Sequence, residues 1–156
     1  MKEAIDVFQG LTGKRHIAVL ADMKELGGNY LAYHREVGEY AANSGVDLVV
    51  TLGEACRSLA EGVRAVKEIP VVEFSDCGEM VKYLETEIRD GDCVILNAGS
   101  TTLLTARKFQ KLRELTVITN SVSIARELSV QEEIQLILLG GEMTANAVFT
   151  HGGAAI

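Results

Sequence analysis

The chain has 156 residues, 47% of them hydrophobic and 24% charged, a globular balance that excludes a disordered chain and suits one compact domain. Fifteen Lys and Arg against 22 Asp and Glu give a net charge of −7. That charge opposes attraction to phosphate backbones and anionic lipid, so neither nucleic acid nor a membrane is an expected partner.

Along the chain, a helix is expected first, over Lys2–Leu11, carrying Ala4, Ile5, Val7 and Phe8 and stopping near Gly10 or Gly13. Charges interrupt its apolar positions, so it does not read as a signal peptide, and nowhere do about 18 apolar residues run together. A strand His16–Ala21 and a helix Tyr30–Asn43 follow, the helix with an apolar stripe of Leu31, His34, Val37, Tyr40 and Ala41. Next come strand Asp47–Leu52, helix Glu54–Val66, strand Pro70–Phe74 and helix Asp76–Ile88. The single proline, Pro70, stands at a strand start, where its missing N–H matters little. Strand Cys93–Asn97, helix Thr102–Leu112, strand Leu115–Thr119, helix Val122–Val130 and strand Gln135–Leu139 complete the pattern.

The strands are short and apolar on both faces, as in a parallel sheet covered by helices on each side. Strand–helix alternation with right-handed crossovers predicts a doubly wound, three-layer α/β/α Rossmann-like domain. It has six mostly parallel strands in the order 3-2-1-4-5-6. Ligands bind such sheets in the crevice between strands 1 and 4, so a site is sought in Asp22–Asn29 and Asn97–Thr102.

Within the first loop, Asp22 and Glu25 with His34 could form an acid–base or metal group. The plainer reading is that the carboxylates polarise the loop and His34 belongs to its helix stripe. Their spacing fits no usual zinc template, so no metal and no cofactor are expected. The second loop is the stronger candidate. A strand running through Asn97, Gly99, Ser100, Thr101 and Thr102 into a helix offers N–H groups, hydroxyls and a favourable dipole to an anion such as phosphate or sulfate. Ser100 or Thr101 could equally cap that helix without any ligand. Thr119, Asn120 and Ser121 leave the next strand beside it, as further donors or as an N-cap. Cys56, Cys77 and Cys93 are odd in number, form no CxxC pair, and read as small buried hydrophobes in a reducing cytoplasm. Gly140-Gly141 reads as a turn, and the THGGAAI tail with His151 as frayed.

Two resemblances meet in the fourth strand. MKEAIDVFQGLTGKRHIAVLADMKELG, HREVGEYAANSGVDLVVTLGE and DGDCVIL resemble the C-terminal domain of the Mur ligase that adds D-alanyl-D-alanine to UDP-muramoyl tripeptide. The resemblance covers residues 1 to about 96. It implies a Rossmann-like cap that closes over ATP and dipeptide held by a central domain, and makes Asp22, Glu25 and His34 a vestigial ligase loop. No GxxxxGK[ST] occurs in these residues, and Asn97-Ala98-Gly99-Ser100 stands where that family has Lys-Gly-Ser-Arg, so ligase activity is not expected.

From about residue 90, DGDCVILNAGSTTLLTAR, LTVITNSVSIARELS and IQLILLGGEM resemble the opening part of the effector domain of DeoR-type repressors. That likeness implies contacts to a phosphorylated sugar from the Asn97–Thr102 loop and from Thr119-Asn120. Only the opening part is represented, so a complete sugar-responsive repressor is not expected. Both families place Gly-Asp before this strand, so the halves join near residue 95 without a change of register. Natural recombination could make such a join; the abrupt switch reads as an engineered chimera. The expected function is that of an α/β scaffold, not an enzyme, with weak anion binding at the strand-4 loop and an edge near Gln135–Leu139 open to a second copy.

Overall fold

Six runs of Val, Ile, Leu and Thr become the strands of a single sheet in this computed structural model, which describes residues 1–24, 26–97 and 99–143. They are β1 His16–Ala21, β2 Leu48–Leu52, β3 Val71–Phe74, β4 Cys93–Leu96, β5 Leu115–Thr119 and β6 Ile134–Leu138. All adjacent pairs are parallel and the order is β3-β2-β1-β4-β5-β6. The helices are α1 Lys2–Gln9, α2 Tyr30–Asn43, α3 Cys56–Val66, α4 Cys77–Glu87, α5 Ser100–Ala106 and α6 Val122–Leu128. The chain is thus Rossmann-like α/β with helices on both faces, its sheet wholly parallel.

Side chains alternate across the sheet, so odd and even positions of each strand feed different cores. Ala18, Leu20, Val49, Ile95 and Ile118 face α1, α2 and α3. Val19, Val50, Val94, Leu96 and Val117 face α4, α5 and α6. The first core joins Ile5 and Phe8 of α1 to Ile95 of β4 and Ile118 of β5, so both ends of the sequence share it.

On the first face α2 and α3 approach until backbone meets backbone. A Cβ placed on Gly38 would lie 2.0 Å from the Leu59 carbonyl oxygen, and one on Gly62 would lie 2.3 Å from that of Arg35. Two helices therefore each need a glycine where they cross. This contact also corrects the stripe expected on α2. The buried set is His34, Val37, Gly38, Ala41 and Ala42, and Leu31 is 46% exposed because the inward face centres on the glycine.

At the N-terminal end of the sheet, Arg15 clamps the approach to β4. Its Nη1 donates to Glu87 Oε1 at 2.6 Å, its Nη2 to Asp92 Oδ2 at 2.8 Å and its Nε to Asp92 Oδ1 at 3.1 Å. Asp92 is only 2% exposed and also accepts the Arg89 amide at 2.9 Å. Forked, charge-assisted bonds of this kind fix orientation as well as charge.

Helix α5 departs from the expected Thr102–Leu112. It begins at Ser100, because the Thr102 hydroxyl folds back onto the carbonyls of Asn97 and Gly99 at 2.6 and 2.9 Å. After Ala106 the chain tightens into a 3-10 turn, Arg107–Lys111, which drives Phe109 into the second core. Strands β3 and β6 are the edges of the sheet.

Candidate functional site

The order reverses between β1 and β4, and the chain leaves both strands at the same end of the sheet. Asn97 closes that gap. Its Oδ1 accepts the Ala21 amide at 3.2 Å and its Nδ2 donates to the Ala21 carbonyl at 3.3 Å. The side chain continues the β1–β4 ladder by one rung, so it holds the crevice together and is committed to the backbone.

Beyond it, the loop divides its residues between structure and surface. Thr102 is buried and bonded to the loop carbonyls, whereas Gly99 and Ser100 are exposed and Thr101 is half-buried. Gly99 occupies the N-cap position of α5 in an extended conformation, with φ 165° and ψ 158°, and no side chain caps that helix. The capping role expected of Ser100 or Thr101 is therefore unfilled. The reason is geometric: both residues already lie inside the first turn. Ala98 lies outside the described residues.

The next strand end behaves differently. Thr119 is buried and its Oγ1 accepts the Ser121 amide at 3.0 Å, while Ser121 Oγ accepts the Ile124 amide at 3.2 Å. Ser121 is thus a true N-cap of α6, and Asn120 is half-buried between them.

Across the crevice, the structure joins Asp22 and His34 to a residue that the sequence reading kept apart. Asp22 Oδ1 accepts the Cys56 amide at 2.9 Å, so the carboxylate sits at the start of α3. It lies over Gly53, whose φ of +117° and lack of Cβ leave room for it. His34 is fully buried. Its Nδ1 meets the Tyr30 carbonyl at 2.6 Å and its Nε2 accepts the Met23 amide at 3.0 Å. Because an amide only donates, the proton of the ring lies on Nδ1 and the lone pair on Nε2. The Cys56 thiol donates to the Leu20 carbonyl at 3.7 Å.

One ligand atom from each of Asp22, His34 and Cys56 falls within 4.8 Å of the others. Of the three, Cys56 was absent from the sequence-level candidates, where it read only as a small buried hydrophobe. Glu25 lies outside the described residues, as do 144–156, His151 included. Burial, and then the nearby Asp22 carboxylate, pushes the Cys56 thiol far above its usual range, and burial pushes Cys93 up to about 12. Both read correctly as buried small residues, but Cys77 at the start of α4 is only half-buried. Among the described residues no helix is long and apolar enough to cross a membrane.

Known proteins match the two ends of the chain separately. Residues 1–100 match the family described as Mur ligase, glutamate ligase domain, and residues 79–156 match the DeoR C terminal sensor domain. The overlap, 79–100, contains most of α4 and all of β4. The chain is 38% identical over 102 residues to a UDP-N-acetylmuramoyl-tripeptide–D-alanyl-D-alanine ligase of Haemophilus influenzae, covering 62% of this chain and 21% of the ligase. A ligase of the same name from Synechocystis is 31% identical over 116 residues, covering 73% of this chain and 25% of that protein. The HTH-type transcriptional repressor GlcR of Bacillus subtilis is 44% identical over 109 residues, covering 70% of this chain and 39% of the repressor. The chain therefore spans between about a fifth and two fifths of these relatives.

Proposed function

Because this chain belongs both to the Mur ligase glutamate ligase domain family and to the DeoR C terminal sensor domain family, we propose that it is a chimeric α/β scaffold, joined within β4 and folding as one unit. Its functional face is the crevice between β1 and β4. There the start of α5 binds phosphate or sulfate weakly, and the chain neither ligates nor represses. One observation carries this reading: Asn97, Thr102 and Thr119 spend their side chains on backbone groups of β1, of the loop and of the turn after β5, leaving the exposed Gly99 and Ser100, with Thr101, to meet a ligand. Such a surface supplies helix N–H groups and hydroxyls to an anion, and among the described residues its open polar groups are too exposed to distinguish one sugar from another.

Three unpaired cysteines accord with a cytoplasmic home. Strand β6, an edge of the sheet, is the place where a second copy would pair.

Thermal unfolding at matched ionic strength tests the proposal. A single transition is expected, raised equally by inorganic phosphate and by sugar phosphates; a tenfold excess over Kd stabilises by about 1.4 kcal/mol. Much stronger stabilisation by one sugar phosphate would make the chain a sensor. Release of ADP from ATP with UDP-muramoyl tripeptide and D-alanyl-D-alanine would make it a ligase. Two separate transitions would refute the single unit.

A further inference from the structure

We propose that the Asp22 carboxylate, His34 Nε2 and the Cys56 sulfur form a site for one thiophilic divalent cation of the Zn2+ class. The three come from the end of β1, the body of α2 and the start of α3, and their ligand atoms lie within 4.8 Å of one another. Oxygen, nitrogen and sulfur in that combination suit a borderline-soft ion, and three protein ligands leave a fourth position for water.

The surroundings already do what an outer shell does around a bound ion. Metal-ligating histidines hand their other ring N–H to a carbonyl or carboxylate, which fixes the ring and aims the lone pair. The Tyr30 carbonyl holds His34 Nδ1 in this way at 2.6 Å, leaving Nε2 as the lone-pair nitrogen. Amides pin both oxygens of Asp22, that of Cys56 on Oδ1 at 2.9 Å and that of Ala55 on Oδ2 at 3.4 Å, and a carboxylate has lone pairs to spare for an ion. Gly53, without a Cβ, lets the Asp22 carboxylate take this position.

Binding costs two existing contacts. The Met23 amide gives up His34 Nε2, and it sits in a half-buried loop that water reaches. The Cys56 thiol gives up its proton to solvent as the sulfur–metal bond forms, which trades the contact to the Leu20 carbonyl for a far stronger one. A thiolate and a carboxylate then balance the two positive charges, so the site ends neutral.

Titration of the full chain with Co2+, followed by displacement with Zn2+, decides the matter. One equivalent is expected to bind with a sulfur-to-cobalt charge-transfer band and to raise the melting temperature. Cys56→Ala abolishes the band, His34→Gln weakens binding at least about tenfold, and Cys77→Ser leaves both unchanged. Asp22→Asn keeps an oxygen for the Cys56 amide and removes the charge together with the weaker acceptor of the Ala55 amide at 3.4 Å. It is expected to weaken binding about tenfold while lowering the metal-free melting temperature only slightly, which separates a ligand from a structural strut. No saturable one-equivalent binding, a band that survives Cys56→Ala, or a band lost with Cys77→Ser would overturn the proposal. None of these outcomes depends on whether the crevice binds phosphate.

Discussion

Over β1–β3 the helices α2 and α3 meet backbone to backbone through Gly38 and Gly62. Over β4–β6 the covering is made of shorter pieces: α5 and α6 have seven residues each, and α5 passes into a 3-10 turn. The first region fixes two long helices by exclusion of any side chain at their crossing. The second fixes short ones by the Ser121 cap of α6, an Arg107–Glu127 ion pair at 3.4 Å, and the burial of Phe109. Close crossings tolerate no variation, whereas short helices held by side chains tolerate much. A sheet that joins the two can keep its shape from one region and vary the other.

The largest expected effect is at the crossing. Gly38→Ala puts a methyl group into a carbonyl of the facing helix, and no rotamer relieves it, so a loss of about 3 kcal/mol is expected in urea unfolding. A neutral result would break the comparison, because the first region would then be as forgiving as the second. Next comes the clamp between the regions. Asp92→Ala leaves Arg15 and the Arg89 amide without their shared partner, and a loss of about 2–3 kcal/mol is expected, since Arg15 keeps Glu87 and some solvent. A smaller loss with unchanged cooperativity would show that the two regions are held by the sheet and cores alone. Smallest is the cap of α6: Ser121→Ala removes the acceptor for the Ile124 amide and is expected to lower stability by about 1 kcal/mol by thermal unfolding.

Most of this fold was legible because each strand announces itself. HIAVLA, LTVIT and QLILL are β-branched or aliphatic runs too short for helices, and their alternation with helical segments leaves few topologies. The start of α5 was not legible: Asn97 to Thr102 reads as a loop until the Thr102 hydroxyl is seen turning back to the carbonyls of Asn97 and Gly99. Leu31 misled for a related reason. Helical spacing finds an apolar stripe, but the true inward face of α2 is centred on Gly38, a residue with no side chain for a pattern to detect. At the candidate site, Asp22, His34 and the Asn97 loop were found from the switch point. Cys56 was not, because its place beside them is set by a chain reversal through β2 and no spacing in the sequence encodes that distance.

The carboxamide of Asn97, lying across Ala21 like one more peptide group, has a practical corollary for rebuilding this chain. Any cassette transplanted behind Leu96 that begins with asparagine inherits a ready-made seam to the first strand. One that begins otherwise must find its own stitch, and the mouth of the cleft would open there first.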